Sequence, residues 1–217
     1  MKKIAVLGTG MVGNTIGTKL IALGYSVMMG SRSANNEKAV AWVAANGENA
    51  SAGTFEDAAK FGEIIFNCTK GDISLEVIKM AGIENFNGKT VIDIANPLDF
   101  SNGMPPSLIP ELSNTNSLGE EVQKLIPDAN VVKTLNIVNC EVMVDAKKSG
   151  GDPTMFLSGN NAEAKEEVKS ILNQFNWSDI IDLGDITTAR GTEMMLPIWL
   201  RTWFATQNGH FAFKIVR

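Results

Sequence analysis

The residues best suited to chemistry lie near the N-terminus, where Gly8, Thr9, Gly10, Met11, Val12 and Gly13 form a G-x-G-x-x-G pattern directly after the apolar run 4–7. A glycine turn between a buried strand and a helix offers free backbone N–H groups and the positive end of a helix dipole to an anion. The pattern in this context predicts a cradle for a dinucleotide pyrophosphate. Gly8 permits the tight turn out of the strand, Gly10 lets the backbone approach the phosphates, and Gly13 lets the helix pack close to the sheet. The competing reading is a glycine-rich turn with no ligand.

The choice of dinucleotide rests on the end of the second strand. A site for NAD places an acidic residue about 20 residues beyond the motif, to hold the ribose hydroxyls. Here that place reads Gly30, Ser31, Arg32, Ser33, and no acid occurs before Glu37. The planar, permanently charged guanidinium of Arg32 can pair with a 2′-phosphate, and Ser31 and Ser33 add hydroxyl donors, so NADP(H) is the expected cofactor. Residues 1–36 also hold Lys2, Lys3 and Lys19 without a single Asp or Glu, a local positive field suited to a polyphosphate.

Other chemistries find little support. Cys68 and Cys140 lie far apart without C-x-x-C spacing, and one histidine, His210, leaves no Cys/His set for zinc, so neither a disulfide nor a structural metal is expected. Cys68 reads as a small buried hydrophobe, Asp93 as structural, and His210 as a structural or surface residue. Hydride transfer between two rings needs no side-chain nucleophile, only stacked rings and excluded water. The net charge of −5 argues against a nucleic-acid partner.

The elements that must position these residues alternate between strands and helices, which predicts an α/β fold, a Rossmann-type doubly wound and mostly parallel sheet with a small C-terminal helical part. Short β-branched runs at 3–7, 26–29, 63–68 and 90–94 read as buried parallel strands, with a briefer strand near Ala50. Segments 11–23, 54–60 and 73–80 read as crossover helices. After a loop at 96–116 rich in Asn, Ser and Pro come a helix at 117–125 and strands at 131–135, 155–157 and 180–183. A helix at 162–175 carries Val168, Ile171, Leu172 and Phe175 on one face.

Residues 1–183 are read as the NADP-binding domain and 184–217 as a helical segment closing the cleft. Within the latter, 193–207 is apolar around most of its circumference. It is read first as a core helix, with a homodimer interface or a wall of the substrate cleft as alternatives, and Pro197 is expected to kink it.

Gly8, Thr9 and Gly10 end the first apolar run after four residues, so it reads as a strand and not as a signal peptide. No apolar stretch approaches the roughly 20 residues of a membrane helix. The expectation is a soluble, cytoplasmic protein.

Taken together, the N-terminal motif ending in Gly30-Ser31-Arg32, the run Val91-Ile92-Asp93 with Ala95-Asn96-Pro97-Leu98, the run Val132-Lys133-Thr134-Leu135-Asn136 and the ending Phe211-Ala212-Phe213-Lys214 resemble the NADPH-dependent coenzyme F420 reductases. The cytosolic reductase domain of the STEAP metalloreductases is a more distant likeness. The resemblance implies a Rossmann domain with a small C-terminal part, nicotinamide and deazaflavin meeting between them. It implies that Thr9, Ser31 and Arg32 hold the adenosine phosphate end of NADP and that Asn96 and Pro97 lie beside the nicotinamide. The chain departs from the family at Asn67-Cys68-Thr69-Lys70, which replaces the commoner valine-proline pair; Thr69 is carried as a contact to the middle of the cofactor.

The expected activity is therefore hydride transfer between NADPH and a small-molecule acceptor, flavin-like or deazaflavin. Lys133, Lys147, Lys148 and Arg190 are candidates to meet an anionic acceptor tail, but charge alone does not choose deazaflavin over flavin, a ferric chelate or a small carbonyl compound. A β-hydroxyacid dehydrogenase would need a long helical dimerisation domain for which the residues after Leu183 leave no room. A non-catalytic NADP-binding redox sensor is the reading from another class.

Overall fold

The computed structural model describes residues 2–217. Its strands are β1 (Lys3–Leu7), β2 (Ser26–Ser31), β3 (Ala50–Thr54), β4 (Ile64–Asn67), β5 (Thr90–Asp93), β6 (Leu98–Asp99), β7 (Ser107–Leu108), β8 (Asn130–Thr134), β9 (Thr154–Gly159) and β10 (Asp179–Asp182). Its helices are α1 (Met11–Ala22), α2 (Glu37–Asn46), α3 (Phe55–Phe61), α4 (Ser74–Ala81), α5 (Leu118–Leu125), α6 (Cys140–Met143), α7 (Ala162–Gln174) and α8 (Ala189–Thr206).

Eight strands form one sheet in the order β10-β9-β8-β5-β4-β1-β2-β3. Its pairs are parallel except β8 with β9, which run antiparallel. Both faces are covered, which is why the strands read as unbroken apolar runs instead of alternating with polar residues. Along β1, Ile4 and Val6 face a core shared with Ile16 and Leu20 of α1 and Trp42 of α2, and the same core takes in Val168 and Leu172 of α7. Ala5 and Leu7 face the opposite core, with Ala58 of α3, Val77 and Ile78 of α4, and Val122 of α5. Each such aliphatic side chain buried contributes on the order of 1.5–3 kcal/mol.

The element α2 departs from expectation, since no helix is expected there. Ala39 and Trp42 are its buried residues, so its apolar periodicity is faint, and it starts instead on a cap: Asn36 accepts from the Ala39 N–H at 3.1 Å. The 96–116 loop also contains more order than expected, because β6 and β7 pair as a small antiparallel hairpin.

Helix α8 corrects the reading of an all-round buried core helix. Leu196, Trp199 and Leu200 are buried, whereas Met194 and Ile198 are exposed, so one side packs and the other meets solvent. Pro197 does lie inside the helix. Among the described residues no helix is long and apolar enough to cross a membrane.

Candidate functional site

The strand order reverses between β1 and β4, and the carboxyl ends of these two parallel strands leave the crevice where α/β sheets take ligands. The glycine turn sits there. Gly8 adopts φ +118°, and a Cβ on it would lie 2.8 Å from the carbonyl oxygen of Cys68, so the turn abuts the loop leaving β4. A Cβ on Gly13 would come within 2.1 Å of the Gly8 carbonyl oxygen, which fixes α1 tightly against its own entry turn. A Cβ on Gly10 would meet nothing within 4 Å. Gly10 is also the N-cap residue of α1, with no capping side chain and no acid in the first turn, whereas α2, α3, α5 and α7 begin on side-chain caps. The open amides of α1 and the empty space before Gly10 fit a pyrophosphate.

At the end of β2, Ser31 is buried and donates to the Ser33 carbonyl at 2.6 Å, which shapes the turn and leaves Arg32 exposed. Among the described residues Arg32 forms no ion pair, and no acid stands between it and the glycine turn, so its guanidinium fits a phosphate.

Beneath the crevice runs a buried polar chain. Thr69 Oγ1 donates to Asn67 Oδ1 at 2.7 Å, and Asn67 Nδ2 donates to Asp93 Oδ1 at 2.8 Å and to Ser74 Oγ at 2.6 Å. Lys133 Nζ then donates to Asp93 Oδ2 at 2.8 Å and to the Ala95 carbonyl at 2.5 Å, and pairs with Glu193 Oε1 at 2.7 Å. Burial works against the charge on Lys133, but Asp93 and Glu193 together outweigh it and raise the lysine above its ordinary value. Burial likewise raises Glu193, against the pull of Lys133. This corrects the expectation that Lys133 meets an acceptor tail, because the side chain is wholly enclosed. Arg190 pairs with Glu120 and Lys148 with Glu141, and neither these nor Lys147 line the central cavity.

That cavity, about 430 Å³, opens at the mouth of the crevice. Its floor is Met11 and Val12 of α1 with Cys68, Thr69 and Lys70 after β4. Ala95 and Asn96 after β5 form one side, and Leu196, Trp199, Leu200 and Trp203 of α8 form the wall opposite. Asn96 and Asn136 clasp each other, Asn96 Nδ2 donating to the Asn136 carbonyl and Asn136 Nδ2 to Asn96 Oδ1, both at 2.9 Å. Asn136 Nδ2 also reaches the Thr192 carbonyl at 3.1 Å, tying α8 to this loop. Burial first, then Asp93, push the Cys68 thiol well above the ordinary thiol range, so it is a poor nucleophile.

Of the candidate residues, Met11, Val12, Thr69 and Asn96 line this cavity, and Thr9, Gly10 and Met11 line a neighbouring groove between α1 and α2. Gly8, Gly13, Ser31, Arg32, Ser33 and Pro97 line neither. Pro97 sits behind, its carbonyl accepting from the Ile109 N–H at 2.8 Å. His210 is exposed, 3.3 Å from Glu141. The alternative that 193–207 forms a wall of the cleft holds for Leu196, Trp199, Leu200 and Trp203, whereas no spacing rule announces that Lys70 lines the same cavity.

Residues 3–97 match the family described as NADP oxidoreductase, coenzyme F420-dependent. A crystal structure from Arthrobacter sp. FB24, provisionally described as an F420-dependent NADP-reductase, is 47% identical over the whole of both chains with a TM-score of 0.95. The F420-dependent NADP reductase of Methanocaldococcus jannaschii is 29% identical over 145 residues, 66% of this chain and 63% of that protein. Metalloreductase STEAP3 of Rattus norvegicus is 26% identical over 202 residues, 91% of this chain but 38% of that protein. The chain thus spans less than two thirds of either curated relative. With the full-length likeness, the matching N-terminal segment and the glycine turn in its crevice, the chain belongs to the coenzyme F420-dependent NADP oxidoreductases, a family of NADP-dependent reductases.

Proposed function

We propose that this protein transfers hydride between NADPH and a flavin-like or deazaflavin acceptor in the cavity between the sheet and α8. The observation that carries the reading is continuity: the cavity runs from the glycine turn at Met11 and Val12, past Asn96, to the aromatic side of α8, so a donor ring and an acceptor ring can share it. NADPH when bound supplies the hydride. The amides around Gly8–Gly13 hold its pyrophosphate, and Thr9, Ser31, Arg32 and Ser33 hold the 2′-phosphate end. Thr69 meets the middle of the cofactor and Asn96 flanks the nicotinamide half, with Pro97 backing the Asn96 loop from outside the cavity. The Asn96–Asn136 clasp and the Lys133 bond to the Ala95 carbonyl fix the loop on which that half rests. The apolar wall from Leu196 to Trp203 excludes water from the rings.

The raised Cys68 thiol, a poor nucleophile, suits a reaction whose reactive atoms belong to the two cofactors. Reduced thiols at Cys68 and Cys140 suit the cytoplasm, and the exposed Met194 and Ile198 on the outer side of α8 support a homodimer. The test is to titrate the protein with NADPH by fluorescence, then add flavin, deazaflavin and carbonyl compounds while following NADPH absorbance. Oxidation of NADPH by a flavin or deazaflavin is expected. Tight binding without turnover on any acceptor would favour a redox sensor instead, and no binding of either nicotinamide dinucleotide would end the proposal.

A further inference from the structure

The cavity wall contains one donor that the protein leaves unused. Trp199 is 9% exposed, and its indole Nε1 is buried with no hydrogen-bond partner; among the described residues it is the one buried side-chain nitrogen or oxygen in that condition. The other deeply buried indoles are satisfied: Trp42 Nε1 donates to Thr18 Oγ1 at 3.0 Å and Trp177 Nε1 to the Met143 carbonyl at 2.9 Å. Folded proteins seldom leave such a donor unpaired, and an exception that borders a cavity calls for an acceptor or a role in the chemistry there. Trp199 is also the one of these three that lines the cavity. Its ring is held in place by Phe211, stacked at 5.3 Å with planes 17° apart, and by Trp203 at 6.0 Å.

The charge around it narrows the ligand. Among the described residues that line the cavity, Lys70 is the only cation and Asp72 the only anion, and both belong to the loop after β4 and not to the α8 wall. A charged group placed against Leu196, Trp199 and Leu200 would be stripped of water with nothing to replace it. A flat uncharged ring loses little there and gains contact with the aromatic side chains.

We propose that Trp199 is the specificity residue for the acceptor: its indole N–H donates to a carbonyl oxygen conjugated within a planar, uncharged ring, and the charged parts of the acceptor stay outside the cavity. The inference rests on the hydride-transfer reading above. During reduction the ring receives one hydrogen and two electrons from NADPH, which becomes NADP⁺. The ring carries the added negative charge on its conjugated carbonyl oxygen until a solvent proton neutralises it. A hydrogen bond from Trp199 strengthens as that charge develops.

The test uses the full chain with NADP⁺ and equilibrium titration with riboflavin, 5-deazariboflavin, menadione and phenazine, the last a flat ring with no carbonyl. Trp199→Phe keeps an aromatic ring and removes the donor; Trp199→His restores a ring N–H. Carbonyl-bearing rings are expected to bind Trp199→Phe roughly tenfold or more weakly, with phenazine and NADPH unchanged and Trp199→His recovering part of the loss. Binding of the two isoalloxazine-type rings assigns a flavin-like acceptor, and binding of menadione alone assigns a quinone. Equal affinity of wild type and Trp199→Phe for every ring, an equal loss for phenazine, or no ring binding by the wild type each overturns the proposal. Failure of NADPH binding in the wild type would instead remove the hydride-transfer reading and leave the ring titration standing as a separate result.

Discussion

Lys133 Nζ lies 2.7 Å from Glu193 Oε1 with both side chains enclosed, and the same carboxylate receives the Leu118 and Gly119 N–H groups at 2.8 and 3.0 Å. One glutamate therefore ties α8 to the N-terminus of α5 and to a strand of the sheet. Replacing Lys133 by Met would leave Asp93 and Glu193 as uncompensated buried carboxylates, and a loss of roughly 3–5 kcal/mol is expected in urea denaturation. Adding Asp93→Asn and Glu193→Gln to that variant should recover part of it. Because the folded lysine sits above its ordinary value of 10.5, its contribution is complete at neutral pH and fades only as pH rises through the higher folded value.

Gly10 and Gly13 separate binding from folding. Gly13→Ala forces a methyl group within 2.1 Å of the Gly8 carbonyl oxygen, so a loss of roughly 1–3 kcal/mol in stability is expected along with weaker NADPH binding. Gly10→Ala meets nothing within 4 Å, so thermal stability should hold while NADPH affinity falls by about 1–3 kcal/mol. Equal behaviour of the two variants in melting and titration would contradict the cradle.

Arg32 separates the two dinucleotides. Arg32→Ala should cost NADPH about 1–3 kcal/mol of binding and leave NADH nearly unchanged, as measured by fluorescence titration. A wild-type preference for NADH, unaffected by the substitution, would refute the phosphate assignment.

Asp179 gives the acid side of the stability curve a definite origin. Hydrogen bonds from Lys214 and from Thr154, with Arg217 nearby, lower its carboxyl from 3.8 to about 2. A depressed carboxyl contributes stability that is complete above the ordinary value and lost as pH falls through the folded one. Asp179→Asn should flatten stability between about pH 4 and pH 2 in acid unfolding followed by circular dichroism, with little change in slope above that window.

Much of this molecule is legible in its sequence, for identifiable reasons. β1, the glycine turn and α1 declare themselves because backbone sterics demand glycine at Gly8 and Gly13, and chemistry of that kind is local. Strands β4, β5 and β8 are legible because burial on both faces forces continuous apolar runs. Helix α2 escapes because only Ala39 and Trp42 are buried, although Asn36 before Glu37 marks its start. The Lys133 cluster is hidden for a different reason. Asp93 and Lys133 are 40 residues apart, and Glu193 and Gly119 are 74 apart, so only the folded sheet shows that an apparently solvated lysine is wholly enclosed. The α8 wall is half legible: its apolar content is plain, but which side faces solvent depends on the sheet beneath it.

The Glu193 fastening has a mechanical outcome for traffic through the cavity. The wall bearing Trp199 is bolted from below and behaves as an anvil. The β6–β7 hairpin rests on the same helix, Leu98 packing against Leu196, Trp199 and Leu200, is joined to Pro97 by the Ile109 N–H, and leaves Phe100 and Met104 largely uncovered. The exposed tip of that hairpin is the least fastened part of the cavity's rim, so stiffening it is expected to slow entry and exit of a large planar guest alike without changing what the anvil grips.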